Sequence, residues 1–148
     1  MTLRRAHDAD LAAIIRLQHA AYDANRALLG VEPLPLRADY AALLKSHEVW
    51  LDEGPGGLEG VLILKVEPDH LLIWSVATAP SLRGRGRGNA LLAQAEARAR
   101  QLRLAHLRLY TGEPLTGNIA WYERHGFVRE RIEQLDDRRI VHMVKALA

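Results

Sequence analysis

The chain has 148 residues, 49% of them hydrophobic and 26% charged, with a formal net charge of +2. This is the balance of a globular protein with one sizeable core, and the charge is too small to argue for nucleic acid by itself. The absence of cysteine excludes a disulfide framework, a thiolate nucleophile and a cysteine-ligated metal. No apolar run approaches the roughly 18 residues of a membrane span and no signal peptide is visible, so a cytoplasmic protein with a single domain over 1–148 is expected.

Leu3 to Ala6 reads as a short first strand. Asp8 is placed to cap a helix with Asp10 in its first turn, and Leu11, Ile14, Ile15 and Tyr22 recur at helical spacing to about Asp23. Gly30, Pro33 and Pro35 interrupt Asn25 to Arg37, predicting a loop or a short helix, and Asp39 to Lys45 resumes the helical pattern. From Glu48 the period changes. Val49 to Asp52 is a strand, Gly54 to Gly57 a turn and Val61 to Val66 an apolar strand; after the turn Glu67-Pro68-Asp69-His70, Leu71 to Ala77 returns antiparallel. The last two strands are apolar on both faces, which implies cover on each side.

Gly88, Leu91, Leu92, Ala95, Ala99 and Leu102 share one helical face, and His106 to Thr111 is the next strand, so the chain predicts a parallel strand–helix–strand crossover. Gly112 to Leu115 is a loop and Asn118 to His125 a short helix with Gly126 as its C′ residue. A final hairpin joins Val128–Leu135 to Arg139–Lys145. The expected class is α+β or mixed α/β, a mostly antiparallel sheet with one parallel crossover and flanking helices. Seven histidines are scattered without ligand spacing, so no metal is expected.

The stretch Ser75 to Gln94, SVATAPSLRGRGRGNALLAQ, carries the chemistry. Three arginines alternate with three glycines from Arg83 to Gly88. Glycine permits the φ > 0 conformations that let successive N–H groups point into one concavity, and the helix that follows adds free N–H donors and a positive dipole end. Such a turn suits an anion. The dinucleotide pattern G-x-G-x-x-G fails, because its third glycine would fall at Asn89 or Leu91, and no lysine follows for the pattern G-x-x-x-x-G-K-[ST]. What remains is R-x-x-G-x-G at Arg83, Gly86 and Gly88, after an apolar strand and opening a helix.

This segment resembles the acyl-CoA-binding motif of the GNAT superfamily of N-acetyltransferases, and the order of elements is similar to that fold. A second block, Asn118 to Phe127, matches the family's pattern with Asn118, Tyr122, Gly126 and Phe127 in place. The resemblance covers nearly the whole chain. It implies an enzyme passing an acetyl group from acetyl-CoA to a primary amine of a small molecule or peptide, by direct attack through a tetrahedral intermediate. It also implies that backbone N–H groups of Arg83, Gly84, Arg85, Gly86, Arg87, Gly88 and Asn89 cradle the CoA pyrophosphate. Val76 and Thr78 would pair with the pantetheine arm between splayed strands, and an N–H near Ala77 would stabilise the oxyanion.

Asn118 is a further cofactor contact in this reading and Tyr122 the general acid; the plain alternative is that Tyr122 is a core aromatic on a face shared with Ile119. The arginines at 85 and 87 either add phosphate contacts or are solvated. Glu113 is the first choice of base, ahead of His70 and Glu67, against the commoner fate of a surface carboxylate. Trp50, Trp74 and Trp121 read as packing residues, with Trp74 near enough to line the site. Tyr22, Leu29, Val31, Pro33 and Tyr40 belong to the segment covering the acceptor site in similar proteins. Two rival functions stand beside transfer: an acyl-CoA sensor without turnover, and a nucleic-acid binder using the basic run, which is short and lacks interleaved aromatics. Neither membrane nor nucleic acid is an expected partner; a homodimer through the C-terminal strands is.

Overall fold

An antiparallel meander forms the centre of the computed structural model, which describes residues 1–148. Strands β1 (Arg4–Arg5), β2 (Glu48–Gly54), β3 (Gly57–Val66) and β4 (Leu71–Thr78) pair in succession. Strand β5 (His106–Gly112) then lies parallel to β4, and β7 (Arg139–Ala146) is inserted between β5 and β6 (Val128–Gln134). The order β1-β2-β3-β4-β5-β7-β6 is the expected mixed sheet, with one parallel pair among antiparallel ones.

The apolar run in β3 is explained by cover on both faces. Leu62 and Leu64 enter one core with Leu91, Leu92, Ala95 and Ala99 of helix α5 (Arg87–Gln101) and Ile119 of α6 (Thr116–Arg124). Val61 and Ile63 enter a second core with Ile14 and Leu17 of α1 (Leu11–Tyr22) and Tyr40 and Leu43 of α4 (Tyr40–Ser46). Each fully buried aliphatic side chain here is worth roughly 1.5–3 kcal/mol.

In β4 the period breaks once. Ile63 pairs with Ser75 but Leu64 pairs with Ile73, so Trp74 is an extra residue, a β-bulge. Leu71 and Ile73 therefore face the α5 core, whereas Ser75 and Ala77 face the α1 side. The bulge redirects the last four residues of β4 at the point where β5 leaves it.

Local signals account for the helices. The sequence places the first cap at Asp8; in the structure Asp8–Asp10 is a single 3-10 turn, and the capping carboxylate is that of Asp10, which accepts from the His7 N–H at 2.9 Å and from Arg4 at 2.7 Å. Arg4 also pairs with Glu53. The segment broken by Gly30 and the prolines holds two short helices, α2 (Asn25–Leu29), closed by Gly30 at φ +72°, and α3 (Leu34–Arg37). Asp39 caps α4 by accepting from the Ala42 N–H at 3.1 Å. No helix is long and apolar enough to cross a membrane.

A buried polar chain ties α1 to the bulge. The Gln18 amide, fully buried, donates to Tyr40 Oη at 3.1 Å and to Ser75 Oγ at 3.0 Å. Tyr22 Oη lies 2.8 Å from the same Oγ, and Tyr40 Oη donates to the Pro35 carbonyl at 2.7 Å. Burial pushes the Tyr40 phenol up to about 12, and that of Tyr22 upward as well, so both hydroxyls stay protonated. Gln18→Ala is expected to lower stability by about 2 kcal/mol in urea unfolding, because it empties a packed site and removes two buried hydrogen bonds. An unchanged midpoint would show that this chain does not fix α1.

Candidate active site

Strands β4 and β5 part almost as soon as they meet. Only Leu71 with Leu107 and Leu72 with Arg108 are paired; beyond them the strands run apart to Thr78 and Gly112. Because β3 occupies the other edge of β4, main-chain groups between Ile73 and Thr78 that face this wedge have no strand partner. The wedge is open at the end where the chain enters the arginine–glycine turn.

That turn is shaped by its glycines. Gly84 and Gly86 have φ of +80° and +72°, and an added Cβ would meet no atom at either. Gly88 is needed for a different reason: a Cβ there would lie 3.1 Å from the Trp121 ring. Backbone pairing resumes at Ala90, whose N–H donates to Gly86. The N–H groups from Gly84 to Asn89 find no acceptor in loop or side chain and point from the first turn of α5 and the loop before it. The arginines have separate fates. Arg83 donates to the Ala21 carbonyl at 2.9 Å, holding the turn against the end of α1. Arg87 is committed to the buried Asp52 at 2.9 Å and to Glu59 at 2.8 Å. Arg85 is exposed with no ionic partner.

A groove of about 590 Å³ runs along this turn, lined by Val76, Ala77, Thr78, Arg83, Gly84, Gly86, Arg87, Gly88, Asn89 and Asn118. Thus all the residues expected at the cofactor, except Arg85 and Tyr122, share one surface. Trp121 Nε1 donates to Asn89 Oδ1 at 2.9 Å and lines the groove as well, a place its reading as a packing residue did not give it.

Through Tyr22, Asn25, Val76, Asn118 and Trp121 the groove continues into a cavity of about 150 Å³ inside the wedge. Tyr122 lines this cavity. Its ring stands edge-on to Phe127 with centroids 5.7 Å apart, its hydroxyl has no partner in the protein, and burial raises its pKa above the ordinary 10. Most of the remaining wall is apolar and aromatic, including Leu29, Pro33, Trp74, Tyr110, Leu115 and Ile140, with Ser75, Thr111 and Arg138 among its polar residues. Leu29, Pro33 and Tyr22 line it as the covering segment was expected to, while Val31 and Tyr40 do not.

Glu113 stands apart. Its carboxylate pairs with Arg139 at 3.1 Å and lines a separate outer depression, not the cavity. Arg138, which sequence reasoning passed over as part of a hairpin turn, is 7% exposed and lines both the cavity and that depression. Neither side chain's fate was visible in the sequence, since it depends on how the last hairpin pairs with β5.

The sequence model of the acetyltransferase (GNAT) family matches residues 13–127. No curated protein sequence matches the chain significantly. Among solved structures it is similar to an IAA acetyltransferase from Bacillus cereus, with a TM-score of 0.74 and 20% identity over 99% of both chains. It is similar also to the ribosomal-protein-S18-alanine N-acetyltransferase of Escherichia coli, with a TM-score of 0.75 and 19% identity over 99% of this chain and 94% of that one. A third similar structure is the PaiA N-acetyltransferase of Thermoplasma acidophilum in complex with coenzyme A, with a TM-score of 0.80 and 19% identity over 98% of each chain.

Proposed function

From the premise that the chain belongs to the acetyltransferase (GNAT) family, we propose that it acts as one acetyltransferase domain moving an acetyl group from acetyl-CoA to a primary amine. The observation that carries this reading is the row of unpartnered amides from Gly84 to Asn89 at the mouth of the β4–β5 wedge, continuous with a cavity beneath Tyr122. The similar Thermoplasma acidophilum structure, solved with coenzyme A, favours the same ligand here.

The residues fit that donor. Free amides in a glycine turn at a helix N-terminus suit a pyrophosphate, and hydrogen bonds to a charged group are worth about 1.5–3 kcal/mol each. The unpaired edge of β4 at Val76–Thr78 offers main-chain groups to an extended amide-containing arm, as in strand addition. Asn118, on the wall shared by groove and cavity, can hold that arm at the bend. Arg87 serves the turn indirectly, through Asp52 and Glu59.

Acetyl-CoA supplies an activated thioester carbonyl, which a neutral amine attacks as the carbon–sulfur bond breaks. The β4 amides around Ala77 polarise the carbonyl oxygen. Tyr122 holds a proton on Oη at the cavity wall and is the group placed to give it to the departing thiolate; the proton shed by the attacking nitrogen then restores the phenol, directly or through water. No carboxylate or imidazole lines the cavity, so the amine enters in its neutral form. Glu113 is given no proton-transfer role beyond its pairing with Arg139.

Calorimetry with CoA and thiol release from acetyl-CoA against a panel of amines test this directly. Rate at subsaturating amine should climb with pH toward the amine's own pKa, about 10.4 for a lysine-like group. Because burial raises the Tyr122 pKa above 10, its acid form persists and no falling limb should appear below that pH. A decline between about pH 7 and 9 would remove Tyr122 as the acid. Absence of CoA binding at millimolar ligand would end the proposal.

A further inference from the structure

The cavity that receives the amine carries one formal charge, and it is positive. Of the residues lining it, only Arg138 is charged; no aspartate or glutamate faces in. The arginine is not a surface residue turned inward by chance. Its side chain is 4% exposed, and its carbonyl, accepting from the Leu135 N–H at 2.7 Å and the Gln134 side-chain amide at 3.0 Å, closes the β6–β7 hairpin.

Arg138 uses only one side of its fork on the protein. Nε donates to Asp137 Oδ1 at 2.8 Å and one Nη2 hydrogen to Oδ2 at 3.0 Å. Asp137 is shared, accepting also from Arg37 of α3 at 3.3 Å. The Nη1 group of Arg138 makes no hydrogen bond, and no fully buried side-chain nitrogen or oxygen of the protein lacks a partner, so Nη1 is not sealed in; the residue stands between the cavity and the outer depression and lines both. A guanidinium with a free end, next to apolar and aromatic walls, is built for a planar oxyanion.

We propose that the acceptor is a small amine bearing a carboxylate, an amino acid with an apolar or aromatic body, whose carboxylate is held by Arg138. This rests on the acetyl-transfer reading and sharpens it. The volume of about 150 Å³ resembles cavities that take a benzene-sized group, which suits one small side chain. A polycationic acceptor would meet an arginine and no carboxylate on the cavity wall, since the paired Asp137 does not line it, and desolvating its charges there would be costly. A neutral amine would leave the free end of the fork without a partner.

The test compares leucine, methionine and phenylalanine with their carboxamides and with spermidine, as kcat/KM for thiol release calculated on the neutral amine. The carboxylates are expected to be preferred by about 10- to 100-fold, the value of hydrogen bonds to a charged group. Arg138→Gln should bring that ratio toward unity while calorimetric CoA affinity is kept, which a merely structural arginine would not do. Should Arg138→Gln fail to fold, Arg138→Lys keeps the charge without the fork and should retain only part of the preference. Carboxamides or spermidine used as well as the amino acids, with CoA still bound, would overturn this inference and leave acetyl transfer standing. If CoA binds but none of these amines is turned over, the binding of N-acetylleucine against N-acetylleucinamide to the CoA complex decides: selective binding of the carboxylate supports the proposal, equal or absent binding overturns it. CoA failing to bind would bring down both readings.

Discussion

Tyr122→Phe is expected to lower kcat by roughly 100- to 10,000-fold, the range lost when a positioned general acid is removed. The affinity for CoA should stay within about twofold, since the pyrophosphate and pantetheine contacts are main-chain groups elsewhere. The substitution is unusually clean. The hydroxyl has no hydrogen-bond partner in the protein, so its removal leaves nothing unpaired, and the ring keeps its packing against Phe127 and Trp121. Equal falls in kcat and kcat/KM would identify an interaction made only on the way to products. An unchanged kcat would assign Tyr122 to packing and leave thiolate departure to solvent.

Gly86→Val should weaken CoA binding by about 100-fold while the far-UV circular dichroism remains that of the parent. Gly86 has a φ of +72° at the start of α5, a region that a branched residue adopts only at about 1–2 kcal/mol. An added Cβ there would meet no protein atom. Its effect comes through the backbone, which relaxes and swings the neighbouring amides out of one concavity. Two lost hydrogen bonds to a doubly charged group, at about 1.5 kcal/mol each, give the stated factor. Calorimetric binding equal to the parent's would show that the turn does not hold the pyrophosphate.

The glycines of this turn were legible in the sequence because each answers to a local rule: two need positive φ, and one sits at a close ring contact. The strands and main helices were legible for a similar reason, since β3 and α5 announce their periods within a dozen residues. What sequence could not supply were pairings between distant segments. The alternation of Arg85 and Arg87 suggested equal roles, yet the fold brings Asp52 and Glu59 under Arg87 and nothing near Arg85. Nothing in the helical stretch of α1 singles out Gln18; only the packing of α1 against β4 brings it to Ser75, beside the Trp74 bulge. Arg138 follows two aspartates in a turn, the composition of an exposed loop, and it is buried only in the folded chain, where the hairpin pairs with β5.

The parting of β4 and β5 has a consequence for solubility. Exposed strand edges usually recruit further chains, one after another, into growing aggregates. Here the bare edge is an inner seam, walled by β3 behind one strand and β7 behind the other. A single guest filling it leaves no fresh edge for a second, so stacking terminates after one addition. The protein can keep unsatisfied backbone in the middle of its sheet without becoming a template for fibres.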